Sequence, residues 1–285
     1  LFYGWWDWRF CGLLLLSSLV DYFCALRIDR TRRPRLAPPR RKLFLAISVV
    51  TNLGILGFFK YFDFFADSLA RLALAGGIEL SLPTLKIILP VGISFYTFQS
   101  MSYTIDVYRG GLRASKNPID VMLYVSLFTQ LVAGPIERGR HLLPQIIKPR
   151  TVTPTMFSSG AQLAFVGLFK KMVIADNMAV LVNGVFRTAE PLGAEVILGV
   201  YAFALQIYCD FSGYTDIARG TARMLGFDIC LNFRLPYLSA APNDFWQRWH
   251  VSLSTWLRDY LYIPLGGNRK GKLMTLRNLM ITMFL

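Results

Sequence analysis

The chain has 285 residues, of which 54% are hydrophobic and 14% aromatic, and it carries a formal net charge of +14. Long apolar runs return along its whole length, more than a soluble core of this size needs, so the pattern excludes an ordinary soluble domain and indicates an all-α, polytopic membrane protein. The basic residues gather in short loops between those runs, the positive-inside pattern of a membrane protein, and this excludes a nucleic-acid footprint.

The chain opens on "LFYGWWDWRF", with no basic region before an apolar stretch and hence no cleavable signal peptide. It stops at "LMITMFL", in what reads as the start of another span, so both ends read as cuts within a longer protein. A spanning helix needs about 20 mostly apolar residues. Runs approaching or exceeding that length are Cys11 to Leu26, Leu43 to Phe65, Ile87 to Val107, Phe157 to Phe186 and Val196 to Phe211. Between the first two, Arg27 to Lys42 carries eight basic residues and one acid, which places it on the cytoplasmic side. The same loop suits contact with anionic membrane lipids, and sequence does not separate the two roles.

The next run then crosses outward, Asp67 to Lys86 is electrically balanced, and Ile87 to Val107 returns to a basic inner loop, "YRGGLRASKNP". Within that run, "PVGISFYTFQSMSY" alternates small and aromatic residues, a pattern of tight helix packing. "IDVMLYVSLFTQLVAGPI" ends in Gly134 and Pro135 and is followed by further basic residues, so a full crossing would put those charges outside. A re-entrant, broken helix resolves the conflict, and such helices are tolerated where protein or a water-filled cavity surrounds them. Pro242 to Leu265, between Arg234 and "GGNRKGK", is expected to dip into the protein in the same way.

No internal repeat or linker divides the chain, which reads as one membrane domain over residues 1–285. Cys11, Cys24, Cys209 and Cys230 lie scattered in apolar surroundings without a CxxC pair, as packing residues rather than metal ligands or disulfides, and no metal site is expected.

Chemistry gathers in "DFWQRWHVSLSTW". Read as one helix from Pro242 to Tyr262, with the proline at the first position, it aligns Asp244, Arg248, Ser252, Thr255 and Asp259 in a polar stripe. In this stripe Asp244, Arg248 and Asp259 are expected to fix the helix by ion pairing. His250 then points about 200° from Arg248 and shares a face with Trp246, Gln247, Leu253, Ser254 and Leu257. An ionisable group at membrane depth is a functional candidate, yet a hydrogen-bonded core histidine fits equally, and spacing leaves both open. His141, beside a proline in a basic loop, reads as structural. In "YCDFSGYTDIARG", Asp210 and Asp216 could bind a cation, accept a proton, or pair with Arg219 and Arg223; ion pairing is the preferred reading. "LGGNRKGK" is a glycine-hinged basic turn without the pattern of a phosphate-cradling loop, although it could attract a donor's phosphates.

Four blocks in order, "PVGISFYTFQSMSYTIDVYRG", "LVAGPIERGRHLLPQ", "QIYCDFSGYTDIARGTARMLGF" with "NFRLPYLS", and "FWQRWHVSLSTWLRDYLYIPLGGNRKG", resemble the membrane-bound O-acyltransferase family, in particular its alginate O-acetyltransferase branch. The sequence is also similar to the D-alanyl transfer proteins of teichoic acid modification. The resemblance implies a ring of transmembrane and re-entrant helices around a central funnel in the bacterial inner membrane. It implies acyl transfer from a cytoplasmic thioester, acetyl-CoA or another, with no tightly bound cofactor, to hydroxyls of a polysaccharide acceptor. Periplasmic acetyltransferase partner proteins are implied as well. Of the family's two functional histidines, His250 matches the first, in a supporting role; Trp246, Gln247, Ser254, Asp210 and Tyr214 are candidates to line the donor or acceptor funnel. The second, catalytic histidine would fall about five residues after Leu285, so the residues given are expected to be inactive by themselves. A transporter or channel, or a non-catalytic scaffold for a periplasmic transferase, would share the membrane helices; the missing internal repeat counts against the transporter.

Overall fold

The computed structural model describes residues 2–30, 38–78, 88–188 and 192–284, and among them every regular element is helical. The middle of the basic loop Arg27 to Lys42, part of the balanced segment Asp67 to Lys86 together with Ile87 at the start of the expected third run, and part of "TAEPLGAE" lie outside the described residues. The chain forms two compact units, residues 1–132 with 138–146, and residues 133–137 with 147–285.

In the first unit, α1 (Phe2–Asp7) leads into α2 (Arg9–Arg30), α3 (Pro38–Ala75) and α4 (Ile93–Arg109), followed by α5 (Pro118–Ser126), α6 (Phe128–Leu131) and α7 (Gly139–Ile147). Helices α2 and α3 are long and apolar enough to cross a membrane. At 1.5 Å per residue α3 is about 57 Å long, well past the roughly 30 Å hydrocarbon layer. It outruns the apolar run because Asp67 and Arg71 continue the helix without breaking it.

The third expected span is corrected. Helix α4 begins only at Ile93, after Gly92, and has 17 residues. Gly92 sits at φ +74° with its α-carbon so close to the Leu131 carbonyl that a side chain would collide with it, so glycine is required there. Most of α4 is buried, including Thr97, Gln99, Ser100, Ser102, Thr104 and Asp106, so it is a polar inner helix rather than a lipid-facing one.

These polar side chains find partners. Asp21 of α2 is fully buried and accepts from the Ser48 and Ser100 hydroxyls and from Asn52 Nδ2 (2.9 Å to Oδ2), tying α2, α3 and α4 together. The expected re-entrant run is two short helices broken at Leu127, too short to cross. The Tyr124 carbonyl near the break is taken up by the Gln99 and Gln130 side-chain amides.

In the second unit, α8 (Pro154–Leu168), a π-helical turn (Phe169–Ala175) and α9 (Asp176–Arg187) run end to end and pack against α10 (Gly193–Met224). Among the described residues of this unit, only α10 joins α2 and α3 as a helix long and apolar enough to span. The expected run Phe157 to Phe186 is interrupted by the π turn with its two lysines, and Val196 to Phe211 is extended, because Ser212, Gly213, Thr215 and Asp216 stay helical and buried.

Helices α8 and α10 are antiparallel and approach through glycines seven residues apart on each. A Cβ on Gly167 would lie 2.5 Å from the Gly213 carbonyl oxygen, and one on Gly160 would lie 2.7 Å from that of Gly220. After α10 the chain continues through an irregular segment and a 3₁₀ turn (Pro236–Leu238) to α11 (Pro242–Arg248), α12 (Val251–Leu257), a second π turn (Arg258–Tyr262) and α13 (Lys272–Phe284). All four cysteines are free thiols.

Candidate active site

The continuous helix expected from Pro242 to Tyr262 does not form. It breaks at Trp249 and His250, and His250 takes the left-handed conformation, φ +43°, ψ +53°. A β-branched or bulky residue is rare there, and even histidine occupies it only when the surroundings insist, at about 1–3 kcal/mol.

Those surroundings are the irregular segment after α10. The Arg234 amide donates to the Arg248 carbonyl (2.9 Å) and the Val251 amide to the Asn232 carbonyl (2.9 Å). These are backbone groups that an unbroken helix would have paired internally. The Asn232 side chain, fully buried, then caps α12: its Oδ1 accepts from the Ser252 amide (3.2 Å) and lies 3.4 Å from His250 Nδ1. It does so from another part of the chain, where a capping residue would ordinarily precede the helix.

The 133–137 loop braces the same place. Ile136 donates its amide to Ser252 Oγ (3.0 Å), and buried Glu137 accepts from the Cys230 amide. Aromatic rings fill the rest. Phe211 of α10 meets the His250 ring edge-to-face at 4.8 Å, Phe233 packs on Phe211 and Trp249 at 5.0 Å each, and Phe245 stacks on Trp249 at 5.6 Å. His250 lies outside the three helices long and apolar enough to span, and burial holds its imidazole down at about 4. The ring is therefore neutral near pH 7, with one nitrogen carrying a proton and the other a lone pair.

The other candidates divide. Asp244 and Arg248 pair at 2.7 Å on α11, as the spacing predicts. The stripe does not continue, because the break re-phases α12: Ser252 turns to the 133–137 loop, and Asp259, in the second π turn, pairs with its neighbour Arg258 at 2.8 Å. Trp246 and Gln247 lie on α11 before the break and are exposed, so they do not share a helical face with His250. Ser254 is half-buried on α12, where its amide donates to the His250 carbonyl (2.9 Å).

On α10, Asp210 is exposed and pairs with Lys171 at 2.6 Å, while Asp216 pairs with Lys170 at 2.6 Å and lies 3.8 Å from Arg219. The acids are thus ion-paired, chiefly to lysines of the π turn rather than to the arginines. Tyr214 is half-buried on the same helix, beside the Ala133 backbone. His141 is exposed on α7. The basic turn at Gly266 and Gly267 is glycine-hinged, both residues at positive φ, and buried Asn278 closes it by donating to the Gly267 carbonyl (2.9 Å).

Sequence reasoning missed Asn232, Glu137 and the pair Lys170–Lys171. Two lysines inside the apolar run "GLFKKMVIA" are a usable signal, since charges at such depth require partners. Nothing in the "NFR" triplet by itself marks Asn232 as a cap for a helix that starts 19 residues later.

Residues 111–285 match the model of the membrane-bound O-acyltransferase family. Over its whole length the chain is 45% identical to a probable alginate O-acetylase AlgI of Pseudomonas putida, and it spans 58% of that protein. It is 35% identical, over 98% of its own length and 56% of the relative's, to a peptidoglycan O-acetyltransferase of Helicobacter pylori. A teichoic acid D-alanyltransferase of Bacillus subtilis is 32% identical over 61% of this chain and 45% of that protein. The chain therefore spans about half the length of the curated relatives it matches. With more than half of its residues under the family model, the chain belongs to the membrane-bound O-acyltransferase family.

Proposed function

We propose that the whole protein is a multi-pass enzyme of the bacterial inner membrane that transfers an acetyl group from a cytoplasmic thioester, such as acetyl-CoA, toward hydroxyls of an extracytoplasmic polysaccharide such as alginate. Family membership and the likeness to alginate, peptidoglycan and teichoic acid transferases support the reaction class. The structural observation that carries the reading to a residue is His250: a neutral, half-buried imidazole at a helix break, in a left-handed backbone that two other segments hold in place. Strain of that kind is maintained at sites of function more often than in plain scaffold.

His250 serves as a supporting histidine that orients a substrate, and the catalytic histidine of the family pattern belongs to the part of the whole protein after Leu285. That second histidine takes the proton from the attacking hydroxyl as general base. Trp246, Gln247, Ser254, Asp210 and Tyr214 are proposed to border the substrate path. A funnel within a ring of membrane helices is proposed as well, because a broken helix such as α11 with α12 is tolerated in a membrane against protein or a water-filled cavity. Periplasmic partner proteins are proposed to complete delivery to the polymer.

The test is complementation. The full-length gene is placed in an alginate-producing bacterium that lacks its own acetylation membrane protein, and ester content of the secreted polymer is measured. Restored esters that fall in His250→Ala support the reading. No restoration, in the presence of the partner proteins, refutes the substrate, and full ester content in His250→Ala removes His250 from the site.

A further inference from the structure

The environment of His250 determines which of its two nitrogens carries the proton. Asn232 Oδ1 faces the Ser252 backbone amide at 3.2 Å, and a backbone N–H can only donate. The atom facing it must therefore be the oxygen of the side-chain amide; rotating the amide would set Nδ2 against that N–H, donor to donor. The same oxygen lies 3.4 Å from His250 Nδ1. An oxygen can only accept, so Nδ1 must hold the hydrogen, and Nε2 of the neutral ring carries the lone pair. The position of Asn232 is itself well determined: it is fully buried, and its backbone carbonyl takes the Val251 amide at 2.9 Å. Backbone and side chain of one residue thus hold the two amides that follow His250.

We infer that Asn232 is a positioning residue which locks His250 as the Nδ1–H tautomer, so that Nε2 accepts a hydrogen bond from an acceptor hydroxyl other than the attacking one and His250 does not serve the thioester carbonyl. This rests on the transferase reading and sharpens it, because orienting the donor would require the histidine to present an N–H to a carbonyl oxygen. A hydroxyl can donate to Nε2; a thioester, which has no donor at its reacting group, cannot. The depressed proton affinity of the ring agrees, since protonation would turn Nε2 into a donor. Asn232 Nδ2 makes no hydrogen bond among the described residues, so what the side chain contributes to this site is its oxygen.

The experiment uses the whole membrane protein labelled with ¹⁵N-histidine, with His250→Gln identifying the signals of His250 by their loss. The expected result is a protonated Nδ1 and a bare Nε2 in the wild type, a mixture of tautomers in Asn232→Ala, and the wild-type pattern in Asn232→Asp, which keeps the accepting oxygen. A bare Nδ1 in the wild type, or unchanged signals in Asn232→Ala, overturns the proposal. If Asn232→Ala does not fold, Asn232→Asp decides: a neutral ring with its single proton on Nε2 in that variant overturns it.

Steady-state acetyl transfer supplies the second readout. Asn232→Ala should lower kcat/KM for the polysaccharide acceptor at least about tenfold while KM for the thioester is unchanged, and Asn232→Asp should recover most of the loss. A raised thioester KM with an unaltered acceptor dependence overturns the assignment to the hydroxyl. Absence of any transfer by the wild type would instead defeat the transferase reading, and the nitrogen signals would still judge the tautomer on their own.

Discussion

Replacing His250 by glycine and by alanine separates its backbone from its ring. Both changes delete the imidazole and its 4.8 Å edge-to-face contact with Phe211, so that loss cancels between them. What differs is the left-handed conformation at φ +43°. An L-residue with a Cβ is disfavoured there by about 1–2 kcal/mol, while glycine adopts it freely. Glycine's greater freedom in the unfolded chain returns about 0.5–1 kcal/mol to alanine. His250→Gly should therefore be the more stable of the two by about 0.5–1 kcal/mol, or about 1–2 °C in Tm for a chain of this size. Paired thermal-shift measurements in one detergent make the comparison, since the ranking holds even where absolute unfolding is irreversible. If His250 has the role proposed above, both variants of the whole protein should lose transfer activity to a similar degree. An alanine variant as stable as the glycine variant would refute the strained backbone, and with it the argument that the site holds His250 at the break.

Four further outcomes are expected. The folded protein holds His250 below its ordinary value, near 4, so this group contributes stability that is fully present above about pH 6.5 and is lost as pH falls toward about 4; a Tm–pH profile of wild type minus His250→Gln should show that loss, and a flat difference would contradict the burial. Asp21→Ala leaves the Ser48, Asn52 and Ser100 donors buried without their acceptor, and should destabilise by about 2–4 kcal/mol, read as a drop in Tm, whereas a neutral result would show that water fills the place. Gly167→Ala puts a methyl 2.5 Å from the Gly213 carbonyl oxygen and should lower stability by about 1–3 kcal/mol, measurable in the same assay; an unchanged Tm would show that the two helices can part without loss. Lys171→Ala, by contrast, removes largely exposed ion pairs and should change stability by less than about 1 kcal/mol.

The membrane helices were legible where hydrophobic length decides the structure: α2, α3 and α10 each contain a run visible in the sequence. Their ends were not, because α3 and α10 continue through charged or polar residues that remain helical. Helix α4 defeated the reading for a different reason. Its run looks like a span, but its small polar residues are there to meet Asp21 and its neighbours, which only tertiary packing brings together. The stretch around His250 stood out in the sequence by its composition, and the Asp244–Arg248 pair followed from spacing. The break in the helix did not follow, since neither glycine nor proline marks residues 249 and 250. It is imposed by hydrogen bonds from Asn232 and Arg234, and a local pattern does not report a partner that far along the chain.

The glycine contacts between α8 and α10 carry a mechanical consequence. Gly160 and Gly167 recur after two helical turns, as do Gly213 and Gly220, so the two backbones mesh with a two-turn pitch. A slide by a single turn would drive a side chain into a carbonyl and pull Lys170 and Lys171 away from Asp216 and Asp210. The pair therefore behaves as a toothed rail, admitting one alignment and refusing its nearest alternatives. Phe211, two residues before Gly213, is carried by that rail, which gives the His250 ring a rigid wall to rest against.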